Sequence, residues 1–206
     1  MEHDDRERQA DEDQRRRAAQ IRFDAMGLGR RYADKTFDNY VSVGKNSDTA
    51  RSVCRRYAET FPARLQKGDC LLLIGNTGTG KNHLSSAIAK VVFASGHTVL
   101  HIEQDGMLRE IKKEWTPGGN ETAAVKAFLD PDLLIIDEVS AAGTPREQRL
   151  IMEVINLRYK EMRPMILLTN LDEAQLEAAI GRHTVDRFKE GDSGVLRMDW
   201  KSYRGR

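Results

Sequence analysis

At 206 residues the chain is long enough for one well-buried domain plus a short extension. Hydrophobic residues make up 39%, no apolar run approaches the length of a membrane span, and the first residues lack the apolar centre of a secretory signal. A net charge of +1 excludes a strong general attraction to nucleic acid, and Cys54 and Cys70, far apart and outside any C-x-x-C pattern, read as reduced thiols of a cytosolic protein rather than a zinc site.

Residues 1 to 26 carry charge of both signs and hold no Pro or Gly. Ala18, Ile21, Ala25 and Leu28 recur at helical spacing, and Gly27 and Gly29 supply a stop. Composition favours a solvated, partly frayed helix over one that docks on a partner protein. A helix is expected over 47–66, capped by Ser47 or Asp48. "CLLLI" (70–74) is fully apolar, as a buried parallel strand should be, and runs into a glycine-rich loop and a helix ending at Gly96. "TVLHI" (98–102) is a second strand, followed by helices over about 104–114 and 121–129 with "TPGGN" (116–120) between them. "LLIID" (133–137) is a third strand, 146–162 a helix, and "MILLT" (165–169) a fourth strand. Short helices over about 172–180 and 182–190 lead to an edge strand, "VLRM" (195–198). Apolar strands alternating with helices predict an α/β domain: a parallel sheet wrapped on both faces.

The loop reads "GNTGTGKNH": Gly75, Asn76, Thr77, Gly78, Thr79, Gly80, Lys81, Asn82 and His83. It fits the phosphate-binding pattern G-x-x-x-x-G-K-[ST] at every defined position but the last. Its glycines let successive N–H groups turn inward on an anion, the helix adds its positive end, and Lys81 reaches the β- and γ-phosphates. Asn82 stands where a magnesium-binding hydroxyl is expected. Its amide oxygen is a weaker magnesium ligand and its nitrogen can donate to phosphate. ATP binding should therefore survive, and the metal geometry is what Asn82 puts in question.

"LLIIDE" supplies Asp137 to hold Mg²⁺ and Glu138 to polarise an attacking water as general base; the alternative is that Asp137 merely caps a turn. "LLTN" ends a strand in Thr169 and Asn170, and Asn170 either touches the γ-phosphate or water, or forms a turn. The five histidines show no metal-ligand spacing, and His83 and His101 read as surface or packing residues.

These motifs resemble those of the AAA+ helicase loaders of the DnaC type, with transposition helper ATPases of the IstB type as close relatives. The resemblance spans roughly residues 23 to 206 and includes "FDNY" (37–40), "GTGKNHL", "LLIIDE", "LLTN", "VDRF" (185–188) and "DWKSYRGR". The DnaC-type loop also carries Asn after its Lys, so Asn82 looks like a family variant. The resemblance implies a three-layer P-loop NTPase core of the AAA+ (ASCE) class with a five-stranded parallel sheet over 31–206, and a charged helical extension over 1–30. It implies ATP and Mg²⁺ as cofactors, and a replicative hexameric helicase, single-stranded DNA and further copies of the chain as partners. Arg187 resembles the arginine finger that reaches a neighbouring subunit, and Arg204, seventeen residues on, the second sensor within its own subunit. Spacing alone leaves each a surface salt bridge.

DnaC-type loaders carry a longer N-terminal helicase-binding region than the residues before "FDAMGL" here, which would suit a compact phage- or prophage-encoded form. The insertion 104–120 falls where related proteins line a DNA channel. Arg109, Lys112, Lys113 and Trp115 there either hold single-stranded DNA by phosphate contact and stacking, or form a packed Trp among solvated lysines. Three other functions compete with helicase loading. One is transposition helper work on duplex DNA, another a small-molecule kinase. The last is a nucleotide-gated binding module with negligible turnover, for which Asn82 is the main argument.

Overall fold

A computed structural model describes residues 24 and 26–203. The expected helix around Ala18, Ile21 and Ala25, and the arginine at 204, lie outside the described residues. Among the described residues, no helix is long and apolar enough to cross a membrane.

Among the described residues, five strands form one sheet: β1 (Leu71–Gly75), β2 (Val99–Glu103), β3 (Leu133–Val139), β4 (Met165–Thr169) and β5 (Gly194–Met198). Their order is β2-β3-β4-β1-β5 and every pairing is parallel. Parallel strands are covered on both faces, which is why β1, β3 and β4 read as unbroken apolar runs instead of alternating ones. One face packs Leu72, Ile136 and Leu167 against Ile151, Val154 and Ile155. The other packs Leu73, Ile135 and Leu168 against Leu84, Ile88, Cys54 and Tyr57, with Met26 and Phe37 closing its edge.

The helices are α1 (Lys45–Glu59), α2 (Phe61–Lys67), α3 (Lys81–Ala94), α4 (Gln104–Lys112), α5 (Glu121–Lys126), α6 (Pro145–Lys160), α7 (Glu173–Ile180) and α8 (Arg182–Arg187). Thr144 with Glu147, and Asp172 with Gln175, make reciprocal capping boxes that start α6 and α7, each satisfying two orphan N–H groups.

Four sequence expectations are corrected. The single helix over 47–66 is two, because Thr60 leaves helical geometry (φ −103°, ψ 19°) and Pro62, lacking an N–H, opens the second. Its start lies at Gly44, not Ser47 or Asp48. Ser47 sits inside the first turn, accepting from Val43 N at 2.8 Å and donating to Gly44 O at 2.7 Å. The third strand does not stop at Asp137: it bulges and continues to Val139. The last short helix ends at Arg187, well before 190.

Candidate nucleotide-binding site

The carboxyl ends of β1, β3 and β4 meet at one edge of the sheet, where an open parallel sheet forms its ligand crevice. The loop Asn76–Gly80 leaves β1 there and α3 begins at Lys81. A cavity of about 520 Å³ is lined by Thr77 to His83, by Asp137 and Glu138, and by Thr169 and Asn170. The three sequence motifs thus come together in space, as their spacing predicts.

Lys81 is buried, and its Nζ donates to Gly75 O, to Asn76 O at 2.9 Å and to Asn170 Oδ1 at 2.8 Å. Asn170 therefore faces the ammonium that would meet the terminal phosphates. Gly75 has no room for a side chain, since a Cβ would fall 2.1 Å from Met198 O on β5. At Gly80 (φ +96°) a Cβ would lie 2.7 Å from Tyr40 Cε2.

Asp137 is 5% exposed, and burial pushes its carboxyl up to about 6, helped by the charges of Glu138 and Glu103 and opposed by the Glu138 N–H and by Lys81. Its Oδ1 accepts from Glu138 N at 2.7 Å and its Oδ2 accepts from Asn82 Nδ2. Among the described residues no group of three or more His, Cys, Asp or Glu could hold a metal by itself, but a single carboxylate held dry suits a divalent cation that takes its other ligands from phosphate and water, which would repay the desolvation. Asn82 sits beside Asp137 but turns its amide nitrogen toward it, so an ion shared by both requires that amide to rotate.

The bulge between Ile136 and Val139 places one extra residue on β3. Glu138 takes it up with φ 56°, the left-handed region, and its side chain stands exposed at the cavity. Backbone held there in a non-glycine residue costs ~1–3 kcal/mol and is typical of residues kept in place for chemistry. The arrangement can bind a polyphosphate with Lys81 and the loop amides, hold a cation at Asp137, and present Glu138 to a water.

His83 lines the cavity, but its Nε2 lies 2.7 Å from Thr36 O, tying the N-terminal segment to α3. His101 is buried beside Ser85 Oγ at 3.2 Å, and desolvation lowers it to about 4. Arg187 does not line the cavity; it bonds Asn156 Oδ1 and lies 4.4 Å from the Tyr159 ring centre. In the insertion, Lys112 pairs with Glu147 at 2.5 Å and Lys113 with Glu110 at 2.5 Å. The Trp115 indole donates to Glu121 and carries the Arg146 guanidinium 3.8 Å from its ring centre, while Arg109 is exposed.

Sequence reasoning assigned no role to several residues that build this cavity. Tyr40 OH donates to Thr79 O at 3.3 Å, Trp200 Nε1 to the same oxygen at 3.0 Å, and Tyr203 N to Gly78 O at 2.9 Å. Arg31, Tyr32, Lys35, Val41 and Val43 complete the mouth. The only signal was that "FDNY" and "DWKSYRGR" matched the family. Arg158, fully buried, was also missed. Its two terminal nitrogens bond the carbonyls of Phe128, Pro131, Asp132 and Pro164, pinning the start of β3 to the turn before β4.

Comparison with known proteins agrees with this geometry. The family described as IstB-like ATP binding protein matches residues 2–204. The chain is 27% identical over 186 residues to the replicative helicase loader DnaC of Escherichia coli K12, covering 89% of this chain and 75% of that one. It is 28% identical over 181 residues to the DnaC loader of Buchnera aphidicola from Acyrthosiphon pisum, covering 86% and 72%. The fold superposes on a crystal structure of the DnaC helicase loader with TM-score 0.71 at 22% identity, covering 82% of this chain and 99% of that one. On the replication initiator DnaA bound to AMPPCP and single-stranded DNA the TM-score is 0.68 at 22% identity, covering 84% and 51%. The chain belongs to the family of IstB-like ATP binding proteins and is a P-loop ATPase of the AAA+ class.

Proposed function

We propose that this ATPase loads a replicative DNA helicase in the bacterial cytoplasm, using ATP and Mg²⁺ and acting as an oligomer on single-stranded DNA. The observation that carries the reading is likeness to replicative helicase loaders along 89% of the chain, over a cleft holding Lys81, Asp137, Glu138 and Asn170 together. In it Lys81 and the loop amides bind the phosphates, Asp137 with Asn82 holds the ion, and Glu138 draws a proton from the attacking water. Asn170 reads the terminal phosphate. Arg187, which does not line its own cavity, suits a finger offered to a neighbouring copy once it leaves Asn156 and the Tyr159 ring, with Arg204 as second sensor. Residues 1–30 form the docking extension, of which Met26 already packs on β2 through His101 N at 2.7 Å, and 31–206 the ATPase domain. Single-stranded DNA would run along α4 and the loop after it, past Arg109, Lys112, Lys113 and Trp115. Contact with Trp115 there requires Arg146 to leave its ring.

The test is co-elution with the host replicative helicase in ATP, comparing parent with Glu138→Gln, which should keep binding ATP while hydrolysing it at least about a hundredfold more slowly. Capture of helicase by the ATP-locked variant supports loading; no capture by either protein rejects it. Because the matching family is named for IstB, a transposition helper acting on duplex DNA with a transposase is the second reading. Gel shifts with ATP separate them: preference for single strands favours the loader, preference for duplex the helper.

A further inference from the structure

Phosphate loops ordinarily follow their lysine with a hydroxyl that helps hold magnesium, and Asn82 has none. The fold brings a hydroxyl to that place from elsewhere. Tyr32 Oη lies 3.5 Å from Asn82 Nδ2, the same nitrogen that donates to Asp137 Oδ2. Tyr32 is half-buried and lines one cavity with Lys81, Asn82, Asp137 and Glu138. Its position is fixed on both sides. Upstream, His101 N donates to Met26 O at 2.7 Å, and Tyr32 N donates to Gly29 O at 2.8 Å within a short 3₁₀ turn. Downstream, Lys90 Nζ donates to Ala33 O at 3.0 Å and His83 Nε2 meets Thr36 O at 2.7 Å, so α3 itself anchors the segment at two points.

We propose that Tyr32 is a positioning residue for the magnesium ion of bound nucleotide, its hydroxyl replacing from outside the loop the one Asn82 cannot offer. With Asn82 donating to it as observed, or with that amide turned toward the ion, the Tyr32 oxygen can accept from one water of the ion's shell and its proton can go to another. Magnesium dehydrates reluctantly and keeps several waters, so groups that orient those waters count. Partners of this outer kind are typically worth about tenfold or more in metal affinity. The inference rests on reading the cleft as an ATP site.

The experiment titrates a fluorescent ATP analogue against parent and Tyr32→Phe, each in Mg²⁺ and in EDTA. Phe keeps the ring and removes only the hydroxyl. In the parent, Mg²⁺ should tighten binding; in Tyr32→Phe that tightening should shrink about tenfold, with affinity in EDTA unchanged. Adding Asn82→Thr to Tyr32→Phe, which returns a hydroxyl to the loop, should restore most of it. Full Mg²⁺ tightening in Tyr32→Phe overturns the role of Tyr32 while leaving the ATP site standing. Equal weakening in Mg²⁺ and EDTA overturns it too, since Tyr32 would then serve the nucleotide or the fold. No recovery with Asn82→Thr overturns the replacement. No binding by the parent in either buffer removes the ATP reading and this inference with it.

Discussion

Asp137→Asn should stabilise the protein while damaging its site. Burial raises that carboxyl from 3.8 to about 6, so above pH 6 the fold holds an ionised group that the unfolded chain ionises more readily. At ~1.4 kcal/mol per pKa unit, this costs the fold about 3 kcal/mol. The sign follows from the raised value. The stability linked to Asp137 is fully present below about pH 4 and is lost as the pH rises through 6. Asparagine keeps the acceptor for Glu138 N–H, and Asn82 can turn its amide to present oxygen to the new nitrogen. Urea unfolding in EDTA without nucleotide should therefore find Asp137→Asn more stable by up to ~3 kcal/mol at pH 7.5, the gain shrinking to ~1 kcal/mol at pH 4.5. The same variant should lose Mg²⁺-dependent tightening of ATP binding, the usual opposition of stability and function at a site. A variant no more stable than the parent at pH 7.5, or one whose gain is the same at both pH values, refutes the argument that burial costs the Asp137 charge more than its hydrogen-bond partners return, a cost a cation would relieve.

Lys81→Ala removes charge-assisted hydrogen bonds of ~1.5–3 kcal/mol each from the phosphates, so titration with the ATP analogue should show affinity lost at least tenfold. Arg187→Ala should leave each copy's ATP affinity intact but depress turnover. Mixing it with Lys81→Ala should partly restore hydrolysis, because the latter supplies Arg187 to an intact pocket; no recovery in a demonstrably mixed oligomer assigns Arg187 to its own subunit. Gly80→Ala forces a side chain into left-handed backbone against the Tyr40 ring, and calorimetry should find it destabilised by ~1–3 kcal/mol, with weakened ATP binding. A melting temperature equal to the parent's would mean that Tyr40 does not press on the loop.

What was legible in the sequence was whatever repeats a local period or names its chemistry in adjacent residues. β4 lies at 165–169 as read, and the loop, Asp137 and Asn170 meet because buried parallel strands deliver their polar ends to one edge. The break between α1 and α2 was legible in principle, since Pro62 stands two residues past Thr60, but apolar periodicity ran through it. Glu138 was named for its chemistry; its left-handed backbone depends on β3 holding one residue more than β4 between the pairs Ile136–Leu167 and Val139–Thr169, a fact of pairing that neither strand shows alone. Tyr32, Tyr40, Trp200 and Tyr203 reach the loop from more than thirty residues before it and more than a hundred after it. No window of sequence contains that encounter. Arg158 looked like one more charge on an amphipathic helix, and only the converging carbonyls around it explain its burial.

Those distant aromatics answer a question the loop itself poses. To grip phosphate, the loop must turn its N–H groups inward, which throws its carbonyls outward, where they too need partners. Gly75 O and Asn76 O take the Lys81 ammonium, and Asn76 O also accepts the Thr79 hydroxyl at 2.9 Å. Gly78 O takes the Tyr203 N–H, and Thr79 O takes both the Tyr40 hydroxyl and the Trp200 indole. Tyr and Trp suit the task because each couples an apolar body that packs with one donor at its tip. Gly78 O and Thr79 O are thus fixed by segments distant in the chain, and Gly75 O and Asn76 O by Lys81 and Thr79 of the loop itself, so the inward face is set by the fold rather than by an arriving anion. A loop so preorganised binds ATP without first having to order itself. The segments that preorganise it, 32–40 and 200–203, directly adjoin the stretches proposed for docking and for the second sensor. Whatever those stretches bind therefore acts within a few residues of the groups that shape the phosphate loop.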